Sequence, residues 1–412
     1  MPPSSRRLRS RFAWGWGLLA GWLGMLGLGS AAEPFLRSEL IFPLESWHNH
    51  GSSLVEAPNG DLFATWFHGS GERKADDVRI EAARLRRGQT NWTARFTLAD
   101  TPGYPDCNPA LHVDSRDRLW LFYPTILDNH WEGALLKFRV SSDWQTQTPP
   151  NWERSEVLHV TPGTNFEGTI ATVLPQLEKN AEPLRAGWSE QTRREVQEYL
   201  DATRNNATNL LYRRLGWMPR AHPLTIGDRL ILGVYHDGYS FTLMAITDDD
   251  GTNWHTSMPL IGGGNIQPSL GQRRDGTLIA YMRDNGPPPK RLLMAESKDR
   301  GETWGPVVDS EIPNPGSGAD HIVLKDGLWA WVGNDTEEGR HRLSVWLSND
   351  EGRTWRWRRP LENGAKEESY SYPSLIQSRD GTLHATYSVH LPSGKSIRHA
   401  AFNVEWVKSP PQ

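Results

Sequence analysis

Two histidines stand two residues apart in Trp47-His48-Asn49-His50-Gly51. An imidazole titrates near neutral pH, so the pair could supply a cation or a base to a reacting group. The bland alternative is that both bond backbone carbonyls near a strand start. Glu167, in Gly163-Thr164-Asn165-Phe166-Glu167-Gly168, could reach the same centre from another axial loop, or be a solvated loop carboxylate. Cys107 is the single cysteine, so no internal disulfide can form, and no His/Cys cluster has the spacing of a zinc site. No metal and no cofactor is expected.

Three aspartates, Asp249, Asp299 and Asp350, look acidic enough for catalysis, but their context points elsewhere. They sit in three near-identical octets beginning at Thr247, Ser297 and Ser348 and ending at Trp254, Trp304 and Trp355. The pattern is Ser/Thr-x-Asp-x-Gly-x-Thr/Asn-Trp. It reads as a hairpin turn whose carboxylate caps amides and whose glycine takes positive φ. The tryptophans recur about every 50 residues, a period that fits propeller blades. Six strand-turn-strand units support this. Their turns are Asn59-Gly60-Asp61, Asp117-Arg118, Asp228-Arg229, Asp275-Gly276, Asp326-Gly327 and Asp380-Gly381. The expected fold is an all-β, six-bladed β-propeller. The last unit ends in the plain strand Ile397–Val404, and the segment 36–44 is expected to pair at the same seam, leaving no exposed edge.

The interval between Trp152 and Pro223 is too long for a blade connection. Trp188 to Tyr212 is rich in Glu, Arg and Gln, with apolar residues at Val196, Leu200, Leu210 and Leu211. This predicts a helical insertion between blades 2 and 3, at about 155–220. At the other end, Arg6, Arg7, Arg9 and Arg11 precede an apolar run from Phe12 to Leu28, and Ser30-Ala31-Ala32 offers small residues for cleavage. Residues 1–32 read as a secretory signal, leaving 33–412 as an exported propeller domain, periplasmic or extracellular and free of the membrane. The formal net charge is only −4, so no nucleic-acid partner is implied. A monomer is expected. Twenty tryptophans exceed what the repeats need, and the surplus suits inter-sheet packing or sugar stacking.

The octets resemble the Asp-box (BNR) repeats of the sialidases, or neuraminidases, from about residue 40 to 407. The likeness is strongest in the ordered set Arg340-His341-Arg342-Leu343-Ser344-Val345, the Ser348 octet, Ser371-Tyr372-Pro373-Ser374-Leu375 and Ile397-Arg398-His399-Ala400-Ala401-Phe402-Asn403. Asp106-Cys107-Asn108-Pro109-Ala110 also looks like a family signature. The resemblance implies the sialidase fold and a retaining, exo-acting attack on a carboxylate-bearing sugar. Arg283 and Arg340 match two of the three arginines that clamp the substrate carboxylate, and Tyr372 matches the nucleophile. Tyr370 would serve if the register slipped. The family's acid/base lies in a first-blade loop, here Gly69 to Asp77, where Glu72, Asp76 and Asp77 all qualify.

The departures from the family pattern are as specific. His48-Asn49-His50 stands where the first arginine belongs. Gly264-Asn265-Ile266-Gln267 stands where an Asn-Glu pair would take the tyrosine's proton, and Ser388 replaces the glutamate that supports the first arginine. Asn265, Gln267 and Glu167 are therefore candidate substrate-binding residues rather than bases. The leading expectation is an exported sialidase-like hydrolase whose partner is an acidic glycan. A lyase or atypical hydrolase on uronic-acid glycans, using His and Tyr, is the second. A carbohydrate-binding propeller without turnover is the third.

Overall fold

The structure, a computed structural model, describes residues 32–163 and 165–410. The expected signal falls outside that range apart from Ala32. The body from Pro34 onward is one unit. It consists of six antiparallel sheets in chain order, at 48–99, 110–157, 217–256, 265–313, 320–363 and 369–402. These are the six blades. Each sheet runs from its first strand to its last, so successive hairpins carry the chain outward. In blade 3 the innermost place is shared by two short strands, Trp217–Pro219 and Leu224–Ile226, both paired with Arg229–His236. Blade 6 takes its outermost strand from the start of the chain: Leu36–Leu40 pairs with Gly394–Phe402, Leu36 against Phe402 and Leu40 against Arg398.

The octets join the third and outermost strands of blades 3, 4 and 5, and do what their residue types imply. Asp249, Asp299 and Asp350 accept from the amides of Asn253, Thr303 and Thr354 at 2.8–2.9 Å. The Thr247, Ser297 and Ser348 hydroxyls accept from the amides of Gly251, Gly301 and Gly352, whose φ values of +75°, +92° and +77° suit glycine.

The innermost strands share a second device. Each carries a short step: Gly51-Ser52-Ser53-Leu54, Asn108-Pro109-Ala110-Leu111, Met218-Pro219-Arg220-Ala221, Gln267-Pro268-Ser269-Leu270, Gly318-Ala319-Asp320-His321 and Tyr372-Pro373-Ser374-Leu375. In blades 1, 4 and 6 a β-bulge falls on this step, and its first residue is left-handed: Gly51, Gln267 and Tyr372, with Asn108 likewise in blade 2. The third residue links blades. Ser374 Oγ accepts the Leu54 amide, Ser53 Oγ the Leu111 amide, Ser269 Oγ the His321 amide and Asp320 Oδ2 the Leu375 amide, at 2.9–3.1 Å. These four links form an incomplete girdle around the axis, open on both sides of blade 3.

Between blades 2 and 3 the chain forms helices α1 (Phe166–Ala181), α2 (Glu190–Ala207) and α3 (Leu210–Arg214). The predicted insertion is helical, but it begins earlier than Trp188. The stretch containing Glu167 is the first turn of α1, not an axial loop. Phe166, Ile170 and Leu174 repeat every four residues and bury one face against Trp217, Phe241 and the α2 residue Leu200. Ser189 caps α2 and Asn209 caps α3. Among the described residues no helix is long and apolar enough to cross a membrane.

Candidate active site

Tyr372 lies within the inner strand of blade 6, Ser369–Gln377, with φ +53°, a conformation that is costly for a bulky side chain. Its hydroxyl accepts from Arg283 Nη1 at 2.9 Å and faces Gln267 Nε2 at 3.4 Å. Gly318 on blade 5 makes this approach possible: a Cβ there would lie 2.7 Å from Gln267 Oε1 and 2.9 Å from Tyr372 Cδ1. The guanidinium carbons of Arg220 and Arg340 stand 5.1 and 5.2 Å from the centre of the tyrosine ring. Burial pushes the phenol pKa up, but Arg283, Arg340 and the Gln267 hydrogen bond outweigh it, and the net direction is downward.

The three arginines come from different blades. Arg283 is the penultimate residue of the second strand of blade 4, Leu278–Asp284, with Nη2 on Asn285 Oδ1 at 3.2 Å. Arg340 precedes the third strand of blade 5 and donates to Gly316 O at 2.8 Å. Arg220 is buried on blade 3 and spends its donors on the carbonyls of Ser52, Tyr372 and Pro373.

Histidines occupy the blade 1 and blade 6 side. His50 Nδ1 lies 2.9 Å from Ser388 Oγ, which also accepts the Gly51 amide at 3.0 Å. The His50 ring meets Tyr372 edge-on, with centroids 4.5 Å apart. His48 and His390 lie 5.4 and 5.1 Å from it. Burial, followed by the charges of His390 and His48, holds His50 well below the ordinary imidazole value, and burial brings His390 to about 4. Of the two roles open to His50, this environment suits a neutral base, not a cation.

The blade 1 loop separates its three carboxylates. Asp77 accepts the Ser70 amide and hydroxyl at 3.1 and 2.8 Å, and Asp76 accepts from Asn129 Nδ2 at 2.9 Å. Both hold the loop in shape. Glu72 is left facing the site, with Oε1 3.3 Å from His48 Nε2. That approach suits an ion pair, although its angle falls short of a hydrogen bond. Burial pushes the Glu72 carboxyl up, but His48 and Arg73 outweigh it, and the net direction is down.

With this geometry in view, comparison with other proteins identifies the relatives. The profile of the BNR repeat-like domain matches residues 60–206 and 218–385. The chain belongs to the BNR repeat-like domain family. A sialidase of Micromonospora viridifaciens is 26% identical over 171 residues, which cover 39% of this chain and 25% of that protein. This BNR repeat-like chain therefore spans about a quarter of the length of that curated relative. Three solved structures share its fold. A Dyadobacter fermentans protein of unknown function superposes with TM-score 0.66 at 14% identity, covering 89% of this chain and 99% of that one. The intramolecular trans-sialidase of Ruminococcus gnavus gives 0.63 at 14%, covering 88% and 96%. The Hadza microbial sialidase Hz136 gives 0.62 at 16%, covering 88% and 66%. The chain thus shares the fold of these sialidases.

Of the residues singled out in the sequence, Tyr372, Arg283, Arg340, Gln267, His50, His48 and Glu72 lie together. Others do not join them. Asn265 is buried with Nδ2 on Leu260 O at 2.9 Å, so it shapes the loop. Glu167 pairs with Arg213 Nη1 at 2.5 Å within the insertion. Tyr370 donates to Glu368 instead. Two groups escaped the sequence reading: Arg220 and His390. Alignment of the six inner-strand steps exposes Arg220, because it stands where four of the blades have Ser or Ala. His390 lies two residues beyond Ser388 on the same strand face.

Proposed function

We propose that this protein is a sialidase-like glycoside hydrolase that takes an acidic sugar by its carboxylate. The observation that carries the reading is the Tyr372 hydroxyl, bonded to Arg283 and set under Arg340 on the propeller axis. Two guanidiniums from adjoining blades suit a planar carboxylate. A phenol can approach an anomeric carbon that bears a carboxylate without the repulsion an anionic Asp or Glu would meet. In this reading Tyr372 Oη bonds to the anomeric carbon as the glycosidic C–O bond breaks. The His48–Glu72 pair gives a proton to the leaving oxygen, and water then displaces the tyrosine with the pair acting as base. Gln267 cannot accept the phenol's proton, so the arginine field lowers the phenol and its proton passes to His50, whose ring stands edge-on to Tyr372. The expected leader would deliver residues 33–412 outside the cytoplasm.

The test is release of fluorophore from a fluorogenic sialoside by residues 33–412. Wild-type protein is expected to turn over, and Tyr372→Phe to lose about 10³-fold or more in kcat. Folded wild-type protein that releases nothing would count against sialidase activity.

A second reading is favoured by neutral His50 standing edge-on to Tyr372 with no carboxylate at position 267. In a uronic-acid glycan the arginines would neutralise the carboxylate, and an imidazole and a phenol could remove the adjacent C–H proton and protonate the leaving oxygen. Its signature is a conjugated double bond in the product.

A further inference from the structure

Glu72 is borne by a loop that blade 1 does not hold alone. The loop leaves the strand Leu62–Gly69 and returns into Arg79–Leu85. Some of its bonds are internal. Asp77 accepts from Ser70, the Ala75 amide donates to Glu72 O at 3.1 Å, and the Val78 amide donates to Ala75 O at 3.2 Å. These bonds give the loop its shape, and none of them reaches another blade.

The links to blade 2 set its place. At the base, the Asp106 amide donates to Val78 O at 2.9 Å. At the tip stands Asn129, in the turn after the blade 2 strand Leu119–Ile126. Its side-chain amide spends both hydrogens on the loop: Nδ2 donates to Arg73 O and to Asp76 Oδ1, each at 2.9 Å. Arg73 is the residue after Glu72. Asn129 itself has φ +60°, a left-handed conformation that asparagine accepts more readily than most residues. The same turn supplies a second anchor. The Arg73 guanidinium carbon lies 5.0 Å from the centre of the Trp131 ring, and Arg73 Nη1 lies 3.8 Å from Glu72 Oε2. The other carboxylate oxygen is the one that meets His48 Nε2 at 3.3 Å. Glu72 is thus set between an imidazole of blade 1 and a cation anchored on blade 2.

We propose that Asn129 is a positioning residue for proton donation: acting across the seam between blades 1 and 2, it fixes Glu72 against His48 and so sets how well the pair protonates the leaving oxygen. The inference rests on the reading of that pair as the acid of a glycoside hydrolase. The leverage is large, because a catalytic group misplaced by about 1 Å can cost about 10²-fold.

The test varies the leaving group. A methoxide needs a proton as it departs and a 4-nitrophenolate does not, so only the first depends on the acid. The quantity to measure is kcat/KM for residues 33–412 on methyl and 4-nitrophenyl sialosides. Asn129→Gly removes both donors while keeping a residue at ease with positive φ. It is expected to lose about 100-fold on the methyl sialoside, the lower end of what a placed general acid contributes, and to stay within about threefold of wild type on the nitrophenyl sialoside. Asn129→Asp, which turns a carboxylate toward Arg73 O and Asp76, should show the same split. Retained nitrophenyl turnover would show that both variants are folded. Equal losses on the two substrates, or no loss on either, would overturn the proposal and leave the functional reading intact. So would wild-type turnover confined to the nitrophenyl sialoside, because no acid would then be assisting departure. Folded wild-type protein that turns over neither would sink both.

Discussion

Gln267 sits where a carboxylate could take the phenol's proton, and an amide has no such capacity. Its Nε2 instead divides between Tyr372 and Tyr235, at 3.4 and 3.2 Å. If the enzyme is a hydrolase working through Tyr372, Gln267→Glu should supply the missing base and raise kcat on a sialoside by about 100-fold, the lower end of what a placed general base contributes. If His50 is the working base of an elimination, the same change adds an anion next to Tyr372 and should slow the reaction. Paired kinetics on a sialoside and a uronic-acid glycan would separate the two. This centre was partly legible before any coordinates. Tyr372, Arg283 and Arg340 stand in an ordered set of repeats, so their positions carry meaning. Arg220 and His390 acquire theirs only where blades 1, 3 and 6 meet, and nothing local to each residue announces that meeting.

At the scale of elements, the octets are self-contained. The Asp, Gly and hydroxyl residues bond within eight positions, and this is why their geometry follows from spacing alone. Asp350 accepts both the Thr354 amide and hydroxyl, at 2.8 and 2.7 Å. Asp350→Ala should therefore cost about 1 kcal/mol, in line with loss of a capping side chain, and leave turnover unchanged. Thermal unfolding beside a sialoside or glycan assay checks both halves, and a loss of activity in folded protein would mean that the turn does more than hold a hairpin. The insertion was less transparent. Helix α2 shows good helix formers and a capping serine. Helix α1 contains Gly168, Pro175 and the β-branched Thr169, Ile170, Thr172 and Val173, which argue against a helix on propensity. Packing of Phe166, Ile170 and Leu174 overrides it. Reading that stretch as a loop also misplaced Glu167.

At the scale of the molecule, the ring is closed twice. At the rim, Leu36–Leu40 completes blade 6, a pairing that the plain final strand and the segment 36–44 already suggested. On the axis, the girdle of serines and Asp320 links neighbouring inner strands but leaves gaps at Ala110 and Arg220. Arg220 compensates by reaching from blade 3 to the carbonyls of Ser52 in blade 1 and of Tyr372 and Pro373 in blade 6, at 3.1, 2.5 and 3.3 Å. Burying that guanidinium is costly, and burial pulls its pKa down. Removing it would leave three carbonyls short of a donor where the Arg220 side chain is buried. The second cost should win, because partners left unpaired cost more than the net worth of the bonds. Arg220→Met is thus expected to lose about 2–4 kcal/mol of stability, read as a lower urea midpoint with an unchanged slope. The same variant should also raise the Tyr372 phenol pKa, because one of the cations beside its ring is gone, and ultraviolet titration of the phenolate would report that shift. A stable Arg220→Met with an unshifted phenol would mean that the inner-strand girdle closes the axis unaided and that Arg283 and Arg340 alone set the chemistry of the tyrosine.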